Sequence, residues 1–282
     1  MCRHGPDIDA GADFFMKSAF LAISNLFISF GGIKALQDIS FSLAQGEIFS
    51  VIGPNGAGKT TLFNCISGLY RPDTGSIRFK DTAIEKKKPD AIARQGVART
   101  FQNIELFSHM NTMENIMLGR HLHMRTGLFR GMCMWGRKSA AAKEEVLHRK
   151  KVEQIIDLLE LQNVRNTPVG ALPYGTQKLI ELARALALEP ELLLLDEPCA
   201  GMNQEEKQDM IFWIKDIQDD MGITILLIEH DMKLVMDISD RVLAINFGQP
   251  VTLGTPEAVQ QNKEVRKAYI GEEEQDGPSA VG

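Results

Sequence analysis

The octapeptide Gly53-Pro54-Asn55-Gly56-Ala57-Gly58-Lys59-Thr60 has the spacing G-x-x-x-x-G-K-[ST]. It lies between an apolar run and a helical stretch, the context in which such a loop cradles phosphate. The glycines let successive backbone N–H groups curl around α- and β-phosphates, and the helix N-terminus adds its positive end. Lys59 supplies a point charge for the β- and γ-phosphates. Thr60 offers a hydroxyl to Mg²⁺, and Thr61 extends the same turn. An ordinary glycine-rich turn has no need of the Lys-Thr pair.

A second chemical feature is the run Leu192-Leu193-Leu194-Leu195 ending in Asp196-Glu197. An apolar strand finishing in two acids is what the carboxyl edge of a parallel sheet presents to a ligand. Asp196 is placed to hold a Mg²⁺ shell through water, and Glu197 to polarise an attacking water as general base. Two acids ending a strand at the surface is the plainer reading, and the upstream phosphate loop weighs against it. Together the two features point to hydrolysis of a nucleoside triphosphate.

The positioning elements can be read around them. Phe41 and Leu43 alternate with Ser40 and Ser42, and Ile48–Ile52 is a short run between glycines, so both read as strands. A strand apolar throughout fits a parallel sheet covered on both faces. Lys59–Ser67 reads as a helix and Gly75–Lys80 as a strand. Asn111 with Glu114 forms a capping-box start for a helix through Leu118. Val152, Ile155, Ile156 and Leu159 carry helical spacing within 139–161, as do Leu179, Leu182, Ala183 and Leu186 within a helix predicted over 178–188. Strands return at 192–195 and 223–228, with a helix from Gln204 to Met221 between them. A hairpin, 242–245 with 250–253, precedes a helix capped by Thr255-Pro256 and running toward Tyr269. Residues 126–137 have no clear pattern.

Between the two chemical features, Leu172-Pro173-Tyr174-Gly175-Thr176-Gln177 leads into a predicted helix. With this stretch the chain resembles an ATP-binding-cassette (ABC) subunit, whose signature reads roughly Leu-Ser-Gly-Gly-Gln-Gln. The resemblance covers about Phe30 to Gly271. It implies an α/β fold: a P-loop NTPase (RecA-like) core with an antiparallel β subdomain and a helical subdomain inserted at about 103–177. It also implies ATP and Mg²⁺ as cofactors. Gln102, within Ala98-Arg99-Thr100-Phe101-Gln102-Asn103, matches the Q-loop, a Mg²⁺ and water contact facing the transmembrane partner. Ala200-Gly201-Met202-Asn203 matches the D-loop, and His230 the switch histidine that contacts the γ-phosphate. Phe30 matches the aromatic that stacks on adenine, with Phe27 as second candidate. Two subunits are implied to meet head to tail, so that Tyr174, Gly175 and Thr176 bind ATP held by the other copy's P-loop. Pro173 departs from the pattern, because the family's Ser hydroxyl is replaced by a residue with neither hydroxyl nor N–H.

Several stretches resemble the branch that energises branched-chain amino-acid uptake in bacteria: Phe30-Gly31-Gly32, Val97–Asn103, Tyr174-Gly175, Glu229–Met236 and the ending from Gly254 to Gly271. That branch implies two transmembrane permeases, a second ATPase subunit (identical or a paralogue) and a periplasmic binding protein. It places the chain peripherally, on the cytoplasmic face of the inner membrane. Ile104, Leu106, Phe107 and Met110 are where a permease helix would seat, although core packing accounts equally well for any one of them. Lipopolysaccharide export and urea or amide uptake are the nearest rival branches. A soluble cassette ATPase acting on DNA or ribosomes would show two cassettes, a coiled coil or zinc-ligand cysteines.

Composition agrees. Thirty-one basic against 37 acidic residues leave a net charge of −6, which gives no overall field for nucleic acid. Lys86–Lys88 and Arg149–Lys151 read as solvated faces. Cys2, Cys65, Cys133 and Cys199 lack metal or disulfide spacing. Residues 1–18 read as a disordered extension without signal-peptide features, Met16 resembles an alternative start, and 272–282 form an acidic tail. The longest apolar runs are far shorter than the roughly 18 residues that span a bilayer.

Overall fold

Why the strands and helices fall where they do is clearest from burial. In the computed structural model, which describes residues 19–124 and 140–267, the apolar runs are sheet strands and the spaced apolar positions are inward helix faces. The segments 1–18, 126–137 and 272–282, with Cys2, Cys133 and Tyr269–Gly271, lie outside the described residues.

In chain order the strands are β1 (Leu21–Phe30), β2 (Ile33–Leu43), β3 (Ile48–Ile52), β4 (Thr74–Phe79) and β5 (Thr82–Ala83). They continue with β6 (Val97–Arg99), β7 (Leu192–Asp196), β8 (Thr224–Ile228), β9 (Arg241–Asn246) and β10 (Gln249–Gly254). The helices are α1 (Lys59–Ile66), α2 (Pro89–Ala93), α3 (Thr112–Gly119) and α4 (Ala140–Leu158). After them come α5 (Tyr174–Leu186), α6 (Gln204–Met221), α7 (Met232–Ile238) and α8 (Pro256–Gln261).

The chain folds as two units. The first joins the residues up to Ile92 with those from Thr224 onward. It holds an antiparallel sheet ordered β2-β1-β4-β5. It also holds β3, which runs parallel to both β8 and β9, while β10 returns antiparallel to β9. All residues of β3 and β8 are buried, as continuous apolar runs demand of strands covered on both faces. Phe41 and Phe49 stack with ring centroids 5.0 Å apart.

The second unit spans Ala93–Ile223. Here β6 pairs parallel with β7, and β7 is buried along its whole length. Asn111 and Glu114 close a reciprocal capping box on α3, and Asn203 and Glu206 close another on α6. Gly222 ends α6 in the left-handed conformation that glycine tolerates best.

Three expectations shift. The helix predicted from Lys178 begins at Tyr174 and ends at Leu186, with Pro173 at its N-cap in extended backbone and offering no side-chain cap. Tyr174, Gly175 and Thr176 are therefore the first helical turn, not a loop before it. The α4 helix stops at Leu158, and a short 3₁₀ turn, Gln162–Val164, follows. The last predicted helix ends at Gln261, where Asn262 interrupts it and its side chain accepts from the N–H groups of Glu264 and Val265. No helix among the described residues is long and apolar enough to cross a membrane.

Candidate active site

In the first unit the phosphate loop links β3 to α1. Gly53, Gly56 and Gly58 have φ of 158, 78 and 103°. A Cβ on Gly53 would lie 2.2 Å from the carbonyl oxygen of Ile245, and one on Gly58 2.5 Å from that of Ala35. These positions accept no side chain, so their backbone can close into an arch. The arch is braced by the β9–β10 turn: Gly248 N–H donates to the Ala57 carbonyl (2.9 Å), and Gln37 N–H to the Gly248 carbonyl (2.7 Å). The Lys59 ammonium lies inside the arch, buried, donating to the carbonyl oxygens of Gly53 and Pro54. Asn55, Gly56 and Thr60 are exposed, Pro54, Gly58 and Thr61 half-buried. The first turn of α1 carries no acidic residue and Gly58 caps it without a side chain, so its positive end is open to an anion.

Phe30 ends β1 with its ring exposed, and Tyr70 meets that ring edge-on with centroids 5.1 Å apart. Phe27 is also exposed, so exposure does not separate the two candidates; the Tyr70 contact belongs to Phe30. His230 follows β8 with its side chain 56% exposed. The carboxylate of buried Glu229 accepts from the His230 N–H at 3.2 Å and lies 3.8 Å from Nδ1. Asp231 caps α7 by accepting from Leu234 N–H.

In the second unit, Asp196 ends β7, only 1% exposed. Arg99 Nη2 donates to its Oδ2 at 2.8 Å, while Oδ1 is buried with no hydrogen-bond partner. Burial pushes the carboxyl above its ordinary range, and the Arg99 pair pulls against that. The guanidinium of Arg99 also lies over the Phe101 ring, 5.2 Å from its centroid. The next residue, Glu197, adopts a left-handed φ of 48° that a non-glycine residue holds at a cost of about 1–3 kcal/mol. Gln102 Nε2 donates to Glu197 Oε2 at 2.9 Å. Gln102, Asp196 and Glu197 thus converge at the carboxyl end of β7.

The signature residues open α5. The buried Gly175 leaves no space for a side chain, since a Cβ would lie 2.4 Å from Glu206 Oε1, an oxygen on the residue that closes the α6 capping box. Tyr174 lies against Gly201, where a Cβ would be 3.0 Å from the ring. The first turn of α5, like that of α1, lacks acidic residues.

Over residues 36–200 the chain matches the family model described as ABC transporter, a span that contains the phosphate loop, Gln102, the signature and Asp196-Glu197. The chain belongs to the ABC transporter family. A second model, for the branched-chain amino acid ATP-binding cassette transporter, matches residues 252–275 of this cassette. The cassette is 42% identical over 257 residues to the high-affinity branched-chain amino acid transport ATP-binding protein LivG of Salmonella typhimurium, covering 91% of this chain and all of the relative. It is 41% identical over 260 residues to the similarly named BraF of Pseudomonas aeruginosa, with the same coverage. A solved nucleotide-free ATP-binding cassette from an ABC transporter superposes with a TM-score of 0.78 at 29% identity, over 90% of this chain and 99% of that one. The cassette therefore has the P-loop NTPase α/β fold, binds nucleotide and is an ATP-hydrolysing transporter subunit.

Several charged and aromatic residues around these sites escaped the sequence reading: Tyr70, Arg99, Lys178, Glu181 and Glu229. A signal existed for some. Arg99 is a charge closing the short apolar strand β6, and Lys178 and Glu181 are charges interleaved with buried Ile180 and Leu182 on an otherwise apolar helix face.

Proposed function

We propose that this ABC subunit hydrolyses ATP to drive uptake of branched-chain amino acids through partner permeases in a bacterial membrane. The observation that carries the cargo is the 42% identity across the whole length of a relative named for that transport. The branch-specific model at residues 252–275 supports it independently.

The roles follow from the chemistry of each group. The backbone N–H groups of Gly53–Thr61 and the start of α1 bind the phosphates, with Lys59 exchanging its loop carbonyls for phosphate oxygens. Phe30 stacks on adenine, with Tyr70 bracing its ring. Thr60 on the first unit, and Gln102 and Asp196 on the second, each carry an oxygen of the hard kind that Mg²⁺ prefers, with Asp196 acting on the ion's shell through water. The buried, unpartnered Oδ1 of Asp196 fits that reading, because such an oxygen is costly unless a cation or water completes it. When bound, the metal would supply positive charge that neutralises the charge developing on the phosphates. Glu197 takes a proton from the attacking water while Gln102 orients its carboxylate. His230 contacts the γ-phosphate. Tyr174, Gly175 and Thr176 present the start of α5 to ATP on a second ATPase subunit, identical or paralogous.

The partners are two membrane permeases, served outside by a periplasmic binding protein, so the cassette works peripherally at the cytoplasmic membrane face. The permease seat falls on Ile104, Leu106, Phe107 and Met110. Phe107 is exposed, and Met110 also lines a groove of about 370 Å³ with Met113, Met117 and Met124. Methionines suit a surface that must accept a moving helix. The test is uptake of labelled leucine, urea and no-substrate controls by cells with and without the Lys59→Ala subunit. Leucine uptake abolished by the substitution supports the proposal; leucine uptake that is indifferent to it, or urea uptake lost instead, sinks it.

A further inference from the structure

Gln102 is held from two directions. Its side chain reaches Glu197, and its main-chain carbonyl accepts from Lys178 Nζ at 2.8 Å. Lys178 stands on α5, one turn beyond Tyr174, and is 3% exposed. Glu181, three residues further on and 2% exposed, accepts from the Phe101 N–H at 3.4 Å and lies 3.9 Å from Lys178 Nζ. Arg184, another three residues along, donates to the Glu105 carbonyl. Residues 101–105 form no regular secondary structure, so their backbone polar groups must find partners elsewhere. One face of the signature helix supplies those partners on both sides of Gln102.

We propose that Lys178, Glu181 and Arg184 are positioning residues that tie the signature turn to the Gln102–Glu197 pair. Their contacts are with the backbone of Phe101, Gln102 and Glu105. They fix the main chain from which Gln102 reaches the general base, so displacement of the first turn of α5 is transmitted to the residue that orients Glu197. The inference rests on the proposed roles of Gln102 and Glu197. Lys178→Met cuts the clamp at its centre and leaves buried Glu181 with Arg184 as its remaining cation. The double variant Lys178→Met/Glu181→Gln removes that less compensated charge while keeping an oxygen for the Phe101 N–H.

The experiment compares full-length wild type, Lys178→Arg, Lys178→Met, the double variant and Glu197→Gln. It reads steady-state turnover, binding of a fluorescent ATP analogue and thermal melting. Turnover of Lys178→Met and of the double variant should fall about ten- to a hundredfold, the scale of a catalytic group misplaced by about an ångström. Nucleotide Kd should change by less than about threefold, a shift well under 1.4 kcal/mol. Lys178→Arg should restore most of the turnover, and the double variant should melt like wild type while remaining slow. A double variant that both melts and turns over like wild type, beside an inactive Glu197→Gln, overturns the positioning role and leaves the general base in place. Parallel losses of nucleotide binding and turnover overturn it as well. Normal turnover by Glu197→Gln removes the base assignment and this inference with it.

Discussion

The side-chain amide of Gln102 donates to the carboxylate of Glu197 across 2.9 Å, joining an irregular segment after β6 to the residue that follows β7. The proposed general base must be oriented as well as present, and Glu197 also has a left-handed backbone. Gln102→Ala is expected to lose about tenfold or more in turnover, because it removes both the contact that orients Glu197 and a proposed Mg²⁺ ligand. Glu197→Gln is expected to bind ATP and remain as a closed pair of subunits. Steady-state hydrolysis and size-exclusion chromatography with ATP check both.

Arg99 and Asp196 form a buried ion pair at 2.8 Å, with side chains 7% and 2% exposed. Removing one member of such a pair strands the other, at about 3–5 kcal/mol. Arg99→Met should therefore shift the urea unfolding midpoint sharply downward, and Arg99→Met combined with Asp196→Asn should recover part of the loss. Additive losses in the double variant would show that the pair does not act as a unit.

Pro173 at the N-cap of α5 offers no side-chain donor where a serine would. One hydrogen bond to a charged group is worth roughly 1.5–3 kcal/mol. Pro173→Ser should raise ATP turnover, read with the full-length chain at saturating ATP. Unchanged affinity and turnover would mean that the backbone N–H groups from Gly175 onward already suffice.

His148, on α4, accepts at Nδ1 from Arg120 Nε (3.1 Å), and both side chains are buried. Burial, then the neighbouring guanidinium, holds the imidazole below its ordinary value. The unfolded chain therefore binds a proton first as pH falls. This contribution to stability is intact above about pH 6.5 and is lost as pH drops from there toward the depressed folded value. Melting temperature should decline over that window in wild type, and less steeply in His148→Gln, whose amide oxygen can still accept from Arg120.

How much of this was legible in the sequence depended on distance along the chain. The phosphate loop, the capping box at Asn111 and the Gly222 terminus are local, and residues a few positions apart announce them. The start of α5 is harder to read, because Tyr-Gly-Thr after a proline reads as a loop, whereas in the fold Gly175 packs against Glu206 and Tyr174 against Gly201. The Arg99–Asp196 and Lys178–Gln102 contacts join residues 97 and 76 positions apart. No local pattern encodes such pairs; at best, a charge among core positions says that a partner must exist. Tyr70 was missed for the same reason, since its contact with Phe30 depends on how α1 is followed back to β1.

The phosphate loop leans on late residues. Its strand, β3, finds both parallel neighbours in β8 and β9, and its arch is closed by the turn at Gly248. During synthesis, then, the loop emerges from the ribosome nearly two hundred positions before the backbone that shapes it. Contacts so distant in sequence form slowly and late. A nascent or truncated chain ending before Arg241 would carry every residue of the loop without the β9 neighbour and the Gly248 brace that hold its backbone.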